Sequence, residues 1–111
     1  MTVDQVFIIK KLQNLDEMLV AYSAVTRMPF ATCDEESFND QVWIFTDQDK
    51  MKAFAEKYKE EKKLILPVKV QKKDASMFYM NLFAMGINEV VFCDGDQENK
   101  IELTQIVRMP D

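Results

Sequence analysis

The run Gln41-Val42-Trp43-Ile44-Phe45, and the residues that follow it, constrain this fold more than any other part of the chain. The run is almost wholly β-branched or aromatic, which suits a pleated, buried strand. Thr46 or Asp47 then stands at a helix cap, and Asp49 completes a T-x-x-D start. Met51, Phe54, Ala55 and Tyr58 recur at i, i+3, i+4 and i+7, so the spacing predicts a helix. Acidic residues gather in its first turn and Lys59, Lys62 and Lys63 in its last, as the helix dipole favours. Leu64 to Val70 then reads as a strand, which Pro67 confines to a sheet edge or a bulge. A strand–helix–strand step of this kind returns to its sheet by a right-handed crossover, so a helix on a sheet face and some parallel pairing are expected.

The step repeats downstream. Asp74 is expected to cap a helix over 75–85, with Gly86 as its left-handed C′ residue and Ile87 as the hydrophobic partner. Glu89 to Cys93 reads as a strand and Asp94 to Asn99 as a turn. Lys100 to Val107 reads as an alternating strand with Ile101 and Leu103 on one side and Glu102 and Thr104 on the other. Upstream, Thr2 and Gln5 form a capping-box pair ahead of Val3, Val6, Phe7, Ile9 and Leu12, a helix that stops at Asn14. Met18–Tyr22 and Pro29–Cys33 are the arms of an expected hairpin around Thr26-Arg27-Met28-Pro29. Leu15, Met18, Leu19 and Tyr22 also share a helical face, but β-branched and aromatic content and the short turn favour the hairpin. At 111 residues a single core is expected. The fold class is α/β (α+β mixed), one domain over 1–111, with an N-terminal helix in 1–14 and a sheet-and-helix core over 15–107. Five to six strands in a mixed sheet pack with about three helices in the order α-β-β-β-α-β-α-β-β. Trp43, Phe45, Phe54, Val91 and Ile101 are expected to be buried.

The residue inventory narrows the chemistry. There is no histidine, which removes the commonest general base and metal ligand. Net charge is −5, from 14 basic and 19 acidic residues, so neither nucleic acid nor a membrane is an expected partner. Lys57, Lys59, Lys62 and Lys63 cluster, but Glu56, Glu60 and Glu61 interleave with them as on a solvated helix face. Lys10 and Lys11 end the apolar run Val6–Ile9, and Pro67 interrupts 64–70, so no stretch approaches a membrane span. Met1 to Gln5 lacks a basic leader region, so a cytoplasmic location with Cys33 and Cys93 reduced is expected. Asp94, Asp96 and Glu98 alternate like a calcium loop. However, Asn99 replaces the glycine at position six and Gln105 the glutamate at position twelve, so a hairpin turn is the better reading. Asp34, Glu35 and Glu36 read as a solvated loop. Each cysteine precedes an aspartate, which raises rather than lowers a thiol pKa. No phosphate loop or nucleophile motif is present. No catalytic, cofactor-binding or metal-binding residue is therefore assigned, and no cofactor is expected.

The helix over 75–85 stands apart, because Met77-Phe78-Tyr79-Met80 and Leu82-Phe83-Ala84-Met85 leave only Ser76 and Asn81 polar. A helix apolar all round is either buried on several sides or shows a face to a partner. Met77, Phe78, Tyr79, Met80 and Phe83 are the expected partner surface, for another protein or a homodimer. Tyr79 is the expected rim residue, since its hydroxyl tolerates water while its ring packs.

The strand–helix junction Val42-Trp43-Ile44-Phe45-Thr46-Asp47 resembles the "vFtd" junction of the SseB-like N-terminal domain, a bacterial family named for serine-sensitivity enhancement. Gly86-Ile87-Asn88-Glu89-Val90-Val91 resembles that family's step from helix to strand, and the hairpin containing Met28-Pro29-Phe30 fits it. The resemblance spans residues 15–107, and members of the family often continue into a further segment. It implies a bacterial cytoplasmic α/β domain of unassigned biochemistry, with no catalytic or ligand-binding residues to carry over. The expected function is a non-catalytic protein-interaction or scaffold module. The rival is a small-molecule-binding or thiol-dependent enzyme whose site converges only in three dimensions.

Overall fold

Three strands are apolar at nearly every position because both of their faces are covered. They are β1 (Glu17–Ser23), β3 (Asp40–Phe45) and β5 (Glu89–Asp94). The computed structural model describes residues 3–108. The remaining elements are α1 (Val3–Gln13), β2 (Ala31–Cys33), α2 (Gln48–Lys59), β4 (Ile65–Gln71), α3 (Ala75–Ala84), β6 (Gln97–Glu102) and α4 (Leu103–Arg108). The sheet runs β4-β1-β3-β5-β6, with β2 also paired to β3. β3 and β5 are parallel, and the other pairs are antiparallel. This is the expected single mixed sheet, with one short helix more than the sequence suggested.

Alternate residues of the central strands feed two separate cores. Val20, Val42, Ile44, Val90 and Phe92 face α1, α3 and α4. Leu19, Ala21, Phe45, Val91 and Cys93 face α2 through Met51 and Phe54. The crossover from β3 to β4 and the crossover from β4 to β5 run in opposite directions across the sheet. Two crossovers of one hand then fall on opposite faces, which is where α2 and α3 lie.

Several local expectations hold in detail. Asp47 caps α2 by accepting from the Asp49 N–H at 2.8 Å. Pro67 sits in β4, an edge strand. Gly86 (φ +83°) closes α3, with the Ile87 N–H donating to the Leu82 carbonyl and the Gly86 N–H to the Phe83 carbonyl, both at 3.0 Å. These two bonds define a Schellman cap. A two-residue turn at Gly95 and Asp96, with φ +60° at the glycine, joins β5 to β6. The Thr2 half of the capping box lies outside the described residues.

Others need correction. Residues 103–108 form α4 rather than more strand, because Leu103 and Ile106 at i and i+3 reach the core beside Ile9 and Leu12 of α1. The hairpin is reduced to a single bridge, Tyr22↔Pro29. β1 and β2 instead lie end to end along β3, paired at Val20↔Ile44 and Ala31↔Val42, with residues 24–30 as the loop between them. α2 stops at Lys59, since Lys62 (φ +60°) takes the left-handed position of a second Schellman cap, its N–H on the Lys59 carbonyl and the Lys63 N–H on Tyr58. Asp74 makes no side-chain cap bond; a 3₁₀ turn, Lys72–Asp74, leads into α3. Phe45, Phe54, Val91 and Ile101 are buried as expected, whereas Trp43 is only half-buried.

Candidate functional site

Helix α3 packs one side onto the sheet and turns the other to solvent. Phe78, Tyr79 and Leu82 are buried in the core formed with Met18, Val20 and Ile44. Two of the five expected partner-surface residues are thus inside. Tyr79 is the sharper correction, at 6% exposed rather than at a rim. Its hydroxyl meets the Met18 sulfur at 3.5 Å, and burial raises its pKa above the ordinary phenol value. Met77 (72% exposed), Met80 (56%) and Phe83 (37%) occupy the outer side. Lys73 is exposed in the 3₁₀ turn that leads into α3.

At the C-terminal end of α3 a shallow cleft of about 370 Å³ is bordered by Phe83, Gly86, Asn88, Asn39, Glu102 and Thr104. Glu102 is exposed and lies across the ladder from Glu89, which is buried. The Glu89 carboxylate accepts from the Gln41 amide, and no described lysine or arginine pairs with Glu102. The outer side of α3 therefore presents methionine and phenylalanine, whereas the Glu102 side chain, in register with Glu89, projects to the α2 face of the sheet.

The opposite face of the sheet holds the second candidate. α2 packs on the β4–β1–β3 side, and beside it Trp43, Phe54, Lys50, Lys57, Cys93 and Glu98 line a cleft of about 290 Å³. A polar network borders it. Trp43 Nε1 donates to Thr32 Oγ1 (2.8 Å), Thr32 Oγ1 to Gln41 Oε1 (3.4 Å), and Gln41 Nε2 reaches Glu89 and Asp34. Lys100 Nζ donates to Asp34 Oδ2 at 2.8 Å. That bond, with the Glu36 N–H, holds the Asp34 carboxyl down at about 2. Sequence reasoning missed the network. Its one signal is Gln41, a polar residue at the inward-facing start of an otherwise apolar strand.

The cleft offers little for covalent chemistry. Burial, followed by the nearby Glu98 charge, pushes the Cys93 thiol up to about 12, so it stays protonated. Cys33 is exposed opposite Asp40 at one end of β3, and Cys93 is paired opposite Phe45 at the other, so the two thiols are free. The carboxylates of the β5–β6 turn diverge: Asp94 meets Lys11 and Asp96 meets Lys50. Among the described residues no three acidic, cysteine or histidine side chains converge to hold a metal ion. No described helix is long and apolar enough to cross a membrane. No family model, curated protein or solved structure matches the chain.

Proposed function

We propose that this domain is a non-catalytic protein-interaction module, working in the bacterial cytoplasm without a cofactor and binding neither nucleic acid nor membrane. Its contact surface is the outer side of α3. The observation that carries the reading is that Met77, Met80 and Phe83 stay exposed on a helix whose inner side is already filled by Phe78, Tyr79 and Leu82. Methionine and phenylalanine side by side in water are unfavourable in a monomer and typical of adaptable interfaces. The likeness of its strand–helix junction to the SseB-like type adds a family context, and the proposal does not depend on it. A photo-crosslinking residue at position 80, introduced in living cells, tests it. Covalent protein adducts at position 80, well above those from the exposed position 57 of α2, are expected. Equal, background-level yields at both positions would overturn the interaction reading.

A further inference from the structure

We infer that the chain pairs with a second copy of itself at one end of the sheet, the Phe38 ring of each copy seated in the Val25–Leu64 cleft of the other. This contact uses no residue of α3 and stands apart from the interaction reading above.

Phe38 is the knob of the contact. It is 76% exposed and holds φ +62°. A bulky residue seldom takes that left-handed conformation, which glycine or asparagine enters at little cost. The loop that carries it is nevertheless tightly tied. The Phe38 N–H donates to the Asp34 carbonyl and the Asp34 N–H to the Asn39 carbonyl, both at 2.9 Å. The Glu36 N–H donates to the Asp34 carboxylate at 2.9 Å, and Lys100 anchors that carboxylate to β6. A strained backbone thus holds an aromatic ring out in water, on a mount that needs little further ordering to bind.

The receptor is a cleft of about 390 Å³ lined by Val25, Pro29, Phe30 and Leu64, together with Lys62 and Lys63. Arg27 stands in the same loop as Val25. None of these three cations has an ion-pair partner among the described residues, and Glu60 and Glu61 do not line the cleft. Glu35 and Glu36, just before Phe38, are exposed and likewise without an ion pair. An apolar ring beside two carboxylates therefore meets an apolar cleft beside cations.

The topology lets both rings seat at once. β1 is antiparallel to β3 and to β4, so the end of β1, the start of β4 and the start of β3 share one end of the sheet. The cleft lies beside the first two and the Phe38 loop beside the third, with β2 between them. A two-fold axis at that end gives each knob the other copy's cleft and closes the pair. Loop and cleft are small, so the dimer is weak, micromolar or looser.

Sedimentation equilibrium from about 10 µM to about 1 mM, at low salt, tests this. Mass should rise with concentration toward that of two chains. Phe38→Ser should loosen the dimer at least about tenfold. Because the ring is exposed, the circular dichroism spectrum should stay unchanged. Two charge-reversed variants test the charge pairing, one with Glu35→Lys and Glu36→Lys, the other with Lys62→Glu and Lys63→Glu. Each alone should associate about tenfold more weakly, and an equimolar mixture should regain the wild-type constant. Met80→Glu should associate like wild type. A strict monomer over the whole range would refute the two-copy pairing and leave the α3 reading standing. Assemblies that grow past two chains, or a mixture no tighter than its components, would also overturn it. So would a dimer lost in Met80→Glu and indifferent to Phe38→Ser, which would move the contact to α3.

Discussion

Phe54→Ala is the most exacting test of how the α2 face is held. Phe54 is one of two buried anchors of that helix, beside Met51. Its ring centre lies 4.8 Å from Trp43, 5.0 Å from Tyr58, 5.3 Å from Phe45 and 6.3 Å from Phe30. Losing a buried phenylalanine side chain forfeits about 2–3 kcal/mol of transfer free energy. The void adds to that loss, because Trp43 and Phe45 are fixed by β3 and cannot swing in to fill it. The expected cost is about 4 kcal/mol, inside the usual range for such truncations and a large part of a small domain's stability. Thermal unfolding should fall by about 15 °C. Urea titration read by tryptophan fluorescence is the direct assay, because Trp43 is the chain's sole tryptophan and touches the void. A loss under about 1 kcal/mol with an unchanged m-value would refute the reasoning, since it would mean the ring cluster does not hold α2.

Three further outcomes follow from single sites. Lys62→Gly should stabilise the fold by about 0.5 kcal/mol in the same titration, since the left-handed cap position strains lysine; a loss of stability would refute the strain. Asp34 has a folded-state pKa of about 2 against an ordinary 3.8, so its stabilisation is present above about pH 4 and lost as pH falls toward 2. Asp34→Asn should therefore unfold more readily near neutrality, with the gap from wild type closing at pH 2, and a gap unchanged at that pH would contradict the assignment. In native protein one thiol, Cys33, should react quickly with a disulfide reagent and Cys93 only after unfolding; two fast thiols would show that Cys93 is reachable.

What the sequence determined by itself is whatever is set by near neighbours. A β-branched and aromatic run makes β3, an aspartate two residues before Asp49 caps α2, and a glycine with an apolar follower ends α3, all through contacts within one or two turns. Proline placed β4 at an edge for the same local reason. Residues 103–107 read as strand because Ile101 and Leu103 alternate with Glu102 and Thr104, yet Leu103 and Ile106 enter the core as one turn of α4. Only the burial of Leu103 and Ile106 in the core they share with α1, α3 and the sheet makes this segment a helix. Tertiary structure alone decided which side of α3 is wet, because an all-apolar helix has no polar stripe to orient it. The sheet took Phe78 and Tyr79 and left Met77, Met80 and Phe83 outside. It likewise left Trp43 half-covered and joined Gln41 to Glu89, since those outcomes depend on where α2 ends up over the sheet and on a parallel pairing between residues far apart in the chain.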